Sequence, residues 1–455
     1  MDLATSREHA ATSSRAARKA SGFMPSAVLA VTLFLLSADL LFVNVGGIKI
    51  KYGYFLIASV WLLKPAQMWE AAKSAVARTP SFVCLPLFPL SVSIVTSANL
   101  KSSILWTCWL GFDVFTVITL YCFLKVHQFS TDQIQRSVAG ALALITSAGM
   151  LQFVSIYGFH HIILQPQNHF NVYRINGISG WPHFLNIFSF LLLPLVVTQE
   201  ELPSWAKLVL VALMFVLVQS TAKTGWVLFA ALGALLFLLN RRVFLKKYLL
   251  FLLPVTLAAL LIPTPAYEGK GETVRGAEKI AEFAADLDVS RDTTSGTDRL
   301  LINKMGLTVW AKHPWFGVGP RAYNTYVFSR FDQELPAANK YDANHQVNAK
   351  NENIWIELLS ETGALFTLGF VSILVFALWV RRWYFENSPH LGAWMALVLY
   401  FLISGQVSQS GLLTMVYAVF GIFFYARDIR VECAGGSTAG LPLGARVGQD
   451  SLQRH

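Results

Sequence analysis

Apolar runs of helical length recur from one end of this 455-residue chain to the other. Stretches such as 208–218 and 226–239 contain no charged side chain. A soluble domain with 55% hydrophobic and 14% charged residues would expose too much apolar surface to water. In lipid, only helices and closed barrels satisfy their backbone hydrogen bonds, and these runs lack the alternation of barrel strands. The sequence therefore predicts an all-α membrane protein with many spans.

The apolar runs predict about 12 transmembrane helices. With the N-terminus in the cytoplasm, the clusters of Lys and Arg fall on alternate cytoplasmic loops, as the positive-inside rule requires. The net charge of +10 is then largely an orientation signal, and we expect no nucleic-acid partner. The predicted spans are 24–45, 52–63, 81–98, 104–124, 137–157, 183–197, 205–219, 224–240, 243–262, 354–380, 391–405 and 411–426.

This orientation divides the chain into five regions. The first nine transmembrane helices occupy 23–262 and the last three occupy 354–426, with one large polar loop, 263–353, on the outer face between them. Residues 1–22 and 427–455 are expected to be cytoplasmic tails, and the first of them, rich in Ser, Ala and Arg, is predicted to be disordered. A membrane protein with one large outer loop is expected to act at that face.

Two shorter outer segments each carry a cation that membrane orientation does not require there. Arg174–Gly177 lies shortly before Pro182, and a guanidinium at this place suits a phosphate group, which it can bind bidentately. The turn Gln219–Gly225 puts Lys223 at the start of a helix, where free N–H groups and the helix dipole favour anions. The alternative for Arg174 is an arginine that reaches lipid headgroups, and the alternative for Lys223 is an ordinary capped turn with an interfacial lysine.

The long outer loop contains a basic and aromatic stretch, 299–330, that has no acidic residue. A helix capped by Thr297 and Asp298 is predicted to end before Pro314, and Gly317–Pro320 is predicted to form a turn. A second, amphipathic helix is predicted at 277–287. The stretch suits an anionic headgroup that carries a sugar, and the alternative is a helix packed on the membrane domain with a solvated charged face. Its cations are Arg299, Lys304, Lys312, Arg321 and Arg330.

Glu352 lies where the outer loop becomes the next membrane helix and is a candidate general base. A carboxylate there also stabilises a helix N-terminus through the helix dipole, which is the alternative interpretation. His345 and His313 are the other candidate bases, each with a surface histidine as the alternative. The cysteines and histidines show no CxxC or HExxH spacing, so no metal site is predicted.

Two carboxylates fall within the predicted spans. An ionised side chain is costly in lipid, so Asp39 and Asp113 are each expected to have a partner or a function. Lys51, by contrast, is predicted to lie in a short outer connection with little else polar around it.

At these residues the chain resembles the O-antigen ligase/O-antigen polymerase superfamily of polytopic membrane glycosyltransferases. The resemblance covers the architecture of most of the chain, and its motifs are short. Lys223 stands where many members have Arg, and Glu352 stands where ligases usually have His before Asn. The motifs are Arg174-x-x-Gly177 followed by Pro182, the turn Ser220–Gly225, Ser295–Arg299, His313–Gly319, and Glu352-Asn353 through Glu361-x-Gly363.

The resemblance implies that the protein transfers a glycan from an undecaprenyl-diphosphate-linked oligosaccharide, without a cofactor or metal. It places this reaction at the periplasmic face of the bacterial inner membrane, in contact with membrane lipids. It implies that Glu352 or His345 is catalytic. Because Glu352 replaces the ligase His, we expect a polymerase of O-antigen or exopolysaccharide. One alternative is a ligase that uses a lipid A-core acceptor. Another is a polysaccharide transporter or flippase, which would show two similar halves. The substrate-binding residues implied are Arg174, Lys223, Arg299, Arg321 and Asn353.

Overall fold

The computed structural model describes most of the chain, with gaps in the tails and loops. Its residues are 24–45, 48–77, 79, 81–157, 159, 164, 167–169, 172–179, 181–199, 201–220, 222–261, 263–264, 274–275, 294–330, 353–380, 388–403 and 414–438. These residues are mostly helical, which confirms the predicted class, and the only sheets among them are three short antiparallel hairpins. The tails 1–22 and 439–455 and the predicted helix at 277–287 lie outside the described residues.

The amino-terminal part contains six α-helices, one short 3-10 helix (Ser81–Cys84) and one hairpin in the described residues. The predicted span 24–45 is wrong at its end, because the helix stops at Ser37 and a strand follows. The cause is the pattern of β-branched residues on both sides of a Gly-Gly pair, which favours a hairpin. The elements are α1 (Met24–Ser37), β1 (Phe42–Val45), β2 (Ile48–Lys51), α2 (Tyr52–Val60), α3 (Pro65–Ala77), α4 (Leu87–Val95), α5 (Leu100–Val126) and α6 (Thr131–Tyr157).

The middle of the chain continues with a hairpin and four apolar helices. The elements are β3 (Gln167–His169), β4 (Val172–Arg174), α7 (Pro182–Val197), α8 (Ser204–Gln219), α9 (Lys223–Leu239) and α10 (Arg241–Leu260). Within α10, residues Phe244–Leu252 have π-helical hydrogen bonding. Pro182 occupies the first turn of α7, where its missing N–H has no partner to lose, so the predicted helix start is confirmed.

The remaining elements lie in the predicted outer loop and the carboxy-terminal part. Helix α11 begins at Thr294, ahead of the predicted Thr297–Asp298 cap, and ends at Lys312, as predicted. Helix α15 runs on to Thr438, past the predicted end of the last span at 426. The elements are β5 (Pro263–Thr264), β6 (Val274–Arg275), α11 (Thr294–Lys312), α12 (Tyr323–Arg330), α13 (Ile354–Val375, continued as a π-helix to Val380), α14 (Ser388–Leu402) and α15 (Thr414–Thr438).

Several of these helices suit a bilayer. Among the described residues, four helical stretches are long and apolar enough to cross a membrane, namely Leu100–Val126, Thr131–Ile156, Arg241–Leu260 and Ile354–Leu378. Five shorter apolar helices, α1, α7, α8, α14 and most of α9, accompany them. The number of crossings and the side on which each loop lies stay predictions.

Helix α7 lies at the centre of the helical core. Nearly all of its side chains are buried, and it packs against α6, α9 and α14. Gly392 of α14 approaches Leu195 of α7 so closely that a Cβ atom there would overlap the Leu195 backbone. Small residues at helix contacts are the usual means of close packing in membranes, where no hydrophobic effect draws helices together. The carboxy-terminal end of α7 is therefore in close contact with α14.

Candidate functional site

The turn that follows α11 is hydrogen-bonded to a kink in α13. At Gly363 the backbone leaves helical geometry, with φ 77° and ψ 175°. Val318 N donates to Ser360 O at 3.0 Å and Gly319 N donates to Glu361 O at 2.8 Å. In the other direction, Ala364 N donates to Pro314 O at 2.8 Å. The turn predicted at Gly317–Pro320 is confirmed, and we call residues 313–321 the outer turn.

Glycine is required on both sides of this contact. Gly317 and Gly363 both have positive φ, which side chains on Cβ disfavour. A Cβ atom on Gly363 would overlap the Trp315 carbonyl, and one on Gly317 would overlap the Glu361 carbonyl. The two sequence motifs that contain these glycines, far apart in the chain, are therefore in direct contact.

Arg321 is positioned through its backbone by a buried carboxylate. Its peptide N–H donates to Glu361 Oε2 at 2.7 Å, and Glu361 is only 7% exposed. Arg321 has φ 54°, an unusual value for a residue other than glycine, while its side chain is exposed. A buried carboxylate needs such hydrogen bonds, so Glu361 fixes the backbone and leaves the guanidinium available for an anion.

Helices α4 and α5 and the link between them support the other side of the outer turn. Ser103 Oγ donates to Pro320 O at 2.7 Å, and Ala98 N donates to Val318 O at 2.9 Å. Ser93 Oγ of α4 donates to Glu361 O at 3.1 Å, so α4 also contacts the kink. Sequence reasoning did not single out these serines; their only signal is a hydroxyl in an apolar stretch.

Aromatic side chains complete the packing of the outer turn. His313 Nε2 and the Tyr326 hydroxyl are 2.9 Å apart, and the two rings meet edge to face. Tyr323 is buried next to the turn, and this burial, together with the Glu361 carboxylate, raises the pKa of its phenol above the usual range. His313, a candidate base in the sequence, is thus a packed residue with a phenol partner.

The segment that follows Arg174 is buried against α6 and the residues that follow α1. Arg174 ends β4, whose partner strand begins at Gln167. The next five residues, 175–179, are buried, and Gly177 has φ 55°. Leu40 N donates to Ile178 O at 3.1 Å, which joins this segment to the residues that follow α1. The shaped backbone predicted here is confirmed, whereas the Arg174 side chain lies outside the described part.

The turn that carries Lys223 is held at the start of α7 by one amide. Asn186 Nδ2 donates to Pro182 O at 2.9 Å and to Ser220 Oγ at 2.7 Å. A Cβ atom on Gly225 would overlap Asn186 Oδ1, so glycine permits this contact. Helix α9 begins at Lys223, as the sequence predicts. The Arg174 and Lys223 segments therefore approach the same end of α7.

A third polar group joins β2, α2, α5, α15 and the turn that follows α1. Lys51 Nζ forms an ion pair with Asp39, and it lies 6.0 Å from the ring centroid of Phe188 on α7. The Thr414 hydroxyl is 3.2 Å from the Tyr54 hydroxyl and is also hydrogen-bonded to Asp113. The expectation of partners for both carboxylates is confirmed. The expectation that Lys51 has little polar around it is wrong, because the hairpin returns it to Asp39.

The other candidate residues from the sequence fall in several places. Asn353 is the N-cap of α13, where its Oδ1 accepts from Trp355 N at 2.9 Å and from Ile356 N at 3.4 Å. Arg299 lies in α11, but its side chain, like that of Lys223, lies outside the described part. Glu352 and His345 lie wholly outside the described residues. The convergence of these side chains on one site stays a prediction.

The helices and the polar contacts at their ends define a helical membrane protein. A family model described as O-antigen ligase matches residues 208–371, from α8 to α13. The match includes the Lys223 turn, α11, the outer turn and the Gly363 kink. This match supports membership of the O-antigen ligase/polymerase family, whose members are glycosyltransferase-like enzymes. No protein among those with curated descriptions matches it.

Proposed function

We propose that this protein transfers a glycan from undecaprenyl diphosphate to an acceptor hydroxyl at the periplasmic face of the bacterial inner membrane. The observation that carries the proposal is the placement of Arg321. Its backbone is fixed by the buried Glu361, and its exposed guanidinium lies at the contact between the outer turn and α13. Family membership and the apolar helices support the same function.

In the proposed reaction the acceptor oxygen bonds to the anomeric carbon while the bond from that carbon to the diphosphate oxygen breaks. The departing diphosphate gains negative charge, which preorganised cations stabilise. We assign this role to Arg174, Lys223, Arg299 and Arg321. A base, Glu352 or His345, takes the proton of the acceptor hydroxyl, and attack opposite the leaving group inverts the anomeric centre.

Within this family we favour a polymerase that extends O-antigen or exopolysaccharide. The reason lies in the sequence: Glu352 precedes Asn353 where ligases have His. Asn353 itself is the N-cap of α13. Ligation to lipid A-core differs only in the acceptor and is the rival outcome of the test below.

The test is charge reversal in a strain that lacks the native gene. We expect Arg321→Glu and Arg174→Glu to abolish long glycan chains, because losing one charge-stabilising donor costs about 3 kcal/mol at the transition state. Lys304→Glu, on the exposed face of α11, is the matched control and should keep normal chain length. Single-unit rungs on a gel indicate a polymerase, and lipopolysaccharide without any unit indicates a ligase. Wild-type chains in both arginine variants, at normal protein level, would refute the proposal.

A further inference from the structure

One buried amide, which has no role in the proposed reaction, forms hydrogen bonds on both sides of the hairpin that carries Arg174. Gln152 lies near the end of α6 and is fully buried, with 0% exposure. Its Oε1 accepts from two successive backbone groups, Asn176 N at 2.9 Å and Gly177 N at 2.8 Å. Its Nε2 donates to Asn176 Oδ1 at 2.6 Å and to Leu164 O at 3.2 Å.

This arrangement uses the whole hydrogen-bonding capacity of the amide. A glutamine side chain has two donors and an oxygen with two lone pairs, and all four are engaged here. The partners lie on both sides of the hairpin β3–β4: Leu164 precedes it and Asn176 follows it. Because backbone groups buried in a helical core need partners, removing this one side chain leaves several of them unpaired at once.

The backbone of this turn also packs closely on α6. Gly177, with φ 55°, lies over Gly149, and an added Cβ would be 3.5 Å from Gly149 N. On its other side, Gly149 faces Val216 of α8, with no room for a side chain. Gln152 is therefore the polar contact of α6 with the Asn176–Gly177 backbone.

We infer that Gln152 is a positioning residue for donor binding, acting through the backbone that carries Arg174. The inference rests on the proposed function, in which Arg174 holds the diphosphate. Gln152 itself contacts no substrate. Its hydrogen bonds fix the backbone between β4 and α7. Through that backbone they determine where Arg174 lies relative to the donor.

The chain offers a matched control on the same helix. Gln135 is also buried on α6, and its Nε2 donates to Leu195 O at 3.2 Å and to Ser388 Oγ at 2.9 Å. It lies near the opposite end of α6 from Gln152, on contacts with α7 and α14. Gln135→Met and Gln152→Met thus remove the same amide from the same helix, and only the second affects the Arg174 segment.

The experiment measures transfer by the purified full-length protein in lipid nanodiscs, with undecaprenyl-diphosphate-linked oligosaccharide as the probe. We expect Gln152→Met to raise the KM for this donor about tenfold or more, because a buried hydrogen bond is worth that factor. Gln135→Met should leave it within about twofold, which is the ordinary effect of a change remote from the site.

Two further measurements separate the inference from its alternatives. Hydrogen exchange at Asn176 and Gly177 should quicken in Gln152→Met, whether or not transfer is active. In the double variant with Arg174→Ala, KM should equal that of Arg174→Ala alone, because the two residues act as one unit. Unchanged KM in Gln152→Met, or additive effects in the double variant, would overturn the positioning role. Wild-type KM in Arg174→Ala would overturn the proposed function instead, and the inference with it.

Discussion

The outer turn and the Arg174 and Lys223 segments are held in different ways. The outer turn is joined to α13 by backbone hydrogen bonds in both directions, and glycines permit the approach. The Arg174 segment is held by the buried Gln152 amide and by the bond from Leu40 N to Ile178 O, and the Lys223 turn is held by the buried Asn186 amide. Backbone contacts tolerate changes of side chain but not an added Cβ, whereas an amide contact is lost with one substitution. The outer turn is therefore sensitive to an added side chain at its glycines, whereas the other two segments are sensitive to the loss of an amide side chain.

The largest effect on stability is expected from an added methyl group at the kink. Gly363→Ala puts a Cβ into the Trp315 carbonyl and requires φ 77° of a residue that disfavours it. Strain and overlap together should lower the free energy of unfolding by about 3 kcal/mol or more. Thermal unfolding in detergent measures this effect.

Gly111→Ala is the matched control for the kink. A Cβ at Gly111, in α5, would meet no atom within 4 Å. Alanine is a better helix former than glycine, so this variant should be neutral or slightly more stable. Equal unfolding temperatures for the two alanine variants would contradict the tight contact between the outer turn and α13.

An intermediate effect is expected when the amide below the Lys223 turn is removed. Asn186→Ala leaves Pro182 O and Ser220 Oγ without their donor, which should cost about 2 kcal/mol of stability. Ser189→Ala, one turn along α7, is the control, since within the part of the chain that the structure describes its buried hydroxyl has no partner. If both variants unfold at the same temperature, the Asn186 contacts add nothing.

The smallest effect is expected from neutralising the carboxylate that binds Arg321 N. Glu361→Gln keeps an oxygen for this N–H and loses only the charge, so stability should fall by about 1 kcal/mol. Glu361→Leu removes the acceptor altogether and should be clearly worse. Chemical denaturation of the two variants gives the ranking, and the reverse order would show that Glu361 does not position Arg321.

Local patterns in the sequence predicted much of this architecture. The apolar runs predicted α8 and α9, the Pro182 signal predicted the start of α7, and glycines predicted the outer turn. Each of these depends on residues close together in the chain, and the physical cause, burial of an apolar run or a positive φ, acts locally. The sequence also identifies the motifs that contain Arg174 and Gly363, although it does not show which residues they contact.

Contacts between distant residues were not predictable in the same way. The ion pair of Asp39 and Lys51 exists because a hairpin replaces the expected helix end, and the helical pattern alone does not contain that pairing. Likewise, Glu361 was recognised only as part of a motif, and its hydrogen bond to Arg321 depends on how α13 bends. Such contacts follow from tertiary packing, which overrides the local signal.

The kink at Gly363 has a mechanical consequence. The groups around it that bond to the outer turn include the carbonyls of Ser360 and Glu361 and the N–H of Ala364, which an unbent helix would use within itself. Straightening α13 at Gly363 would break these hydrogen bonds. The outer turn, with Arg321, is therefore expected to move together with the kinked helix as one unit.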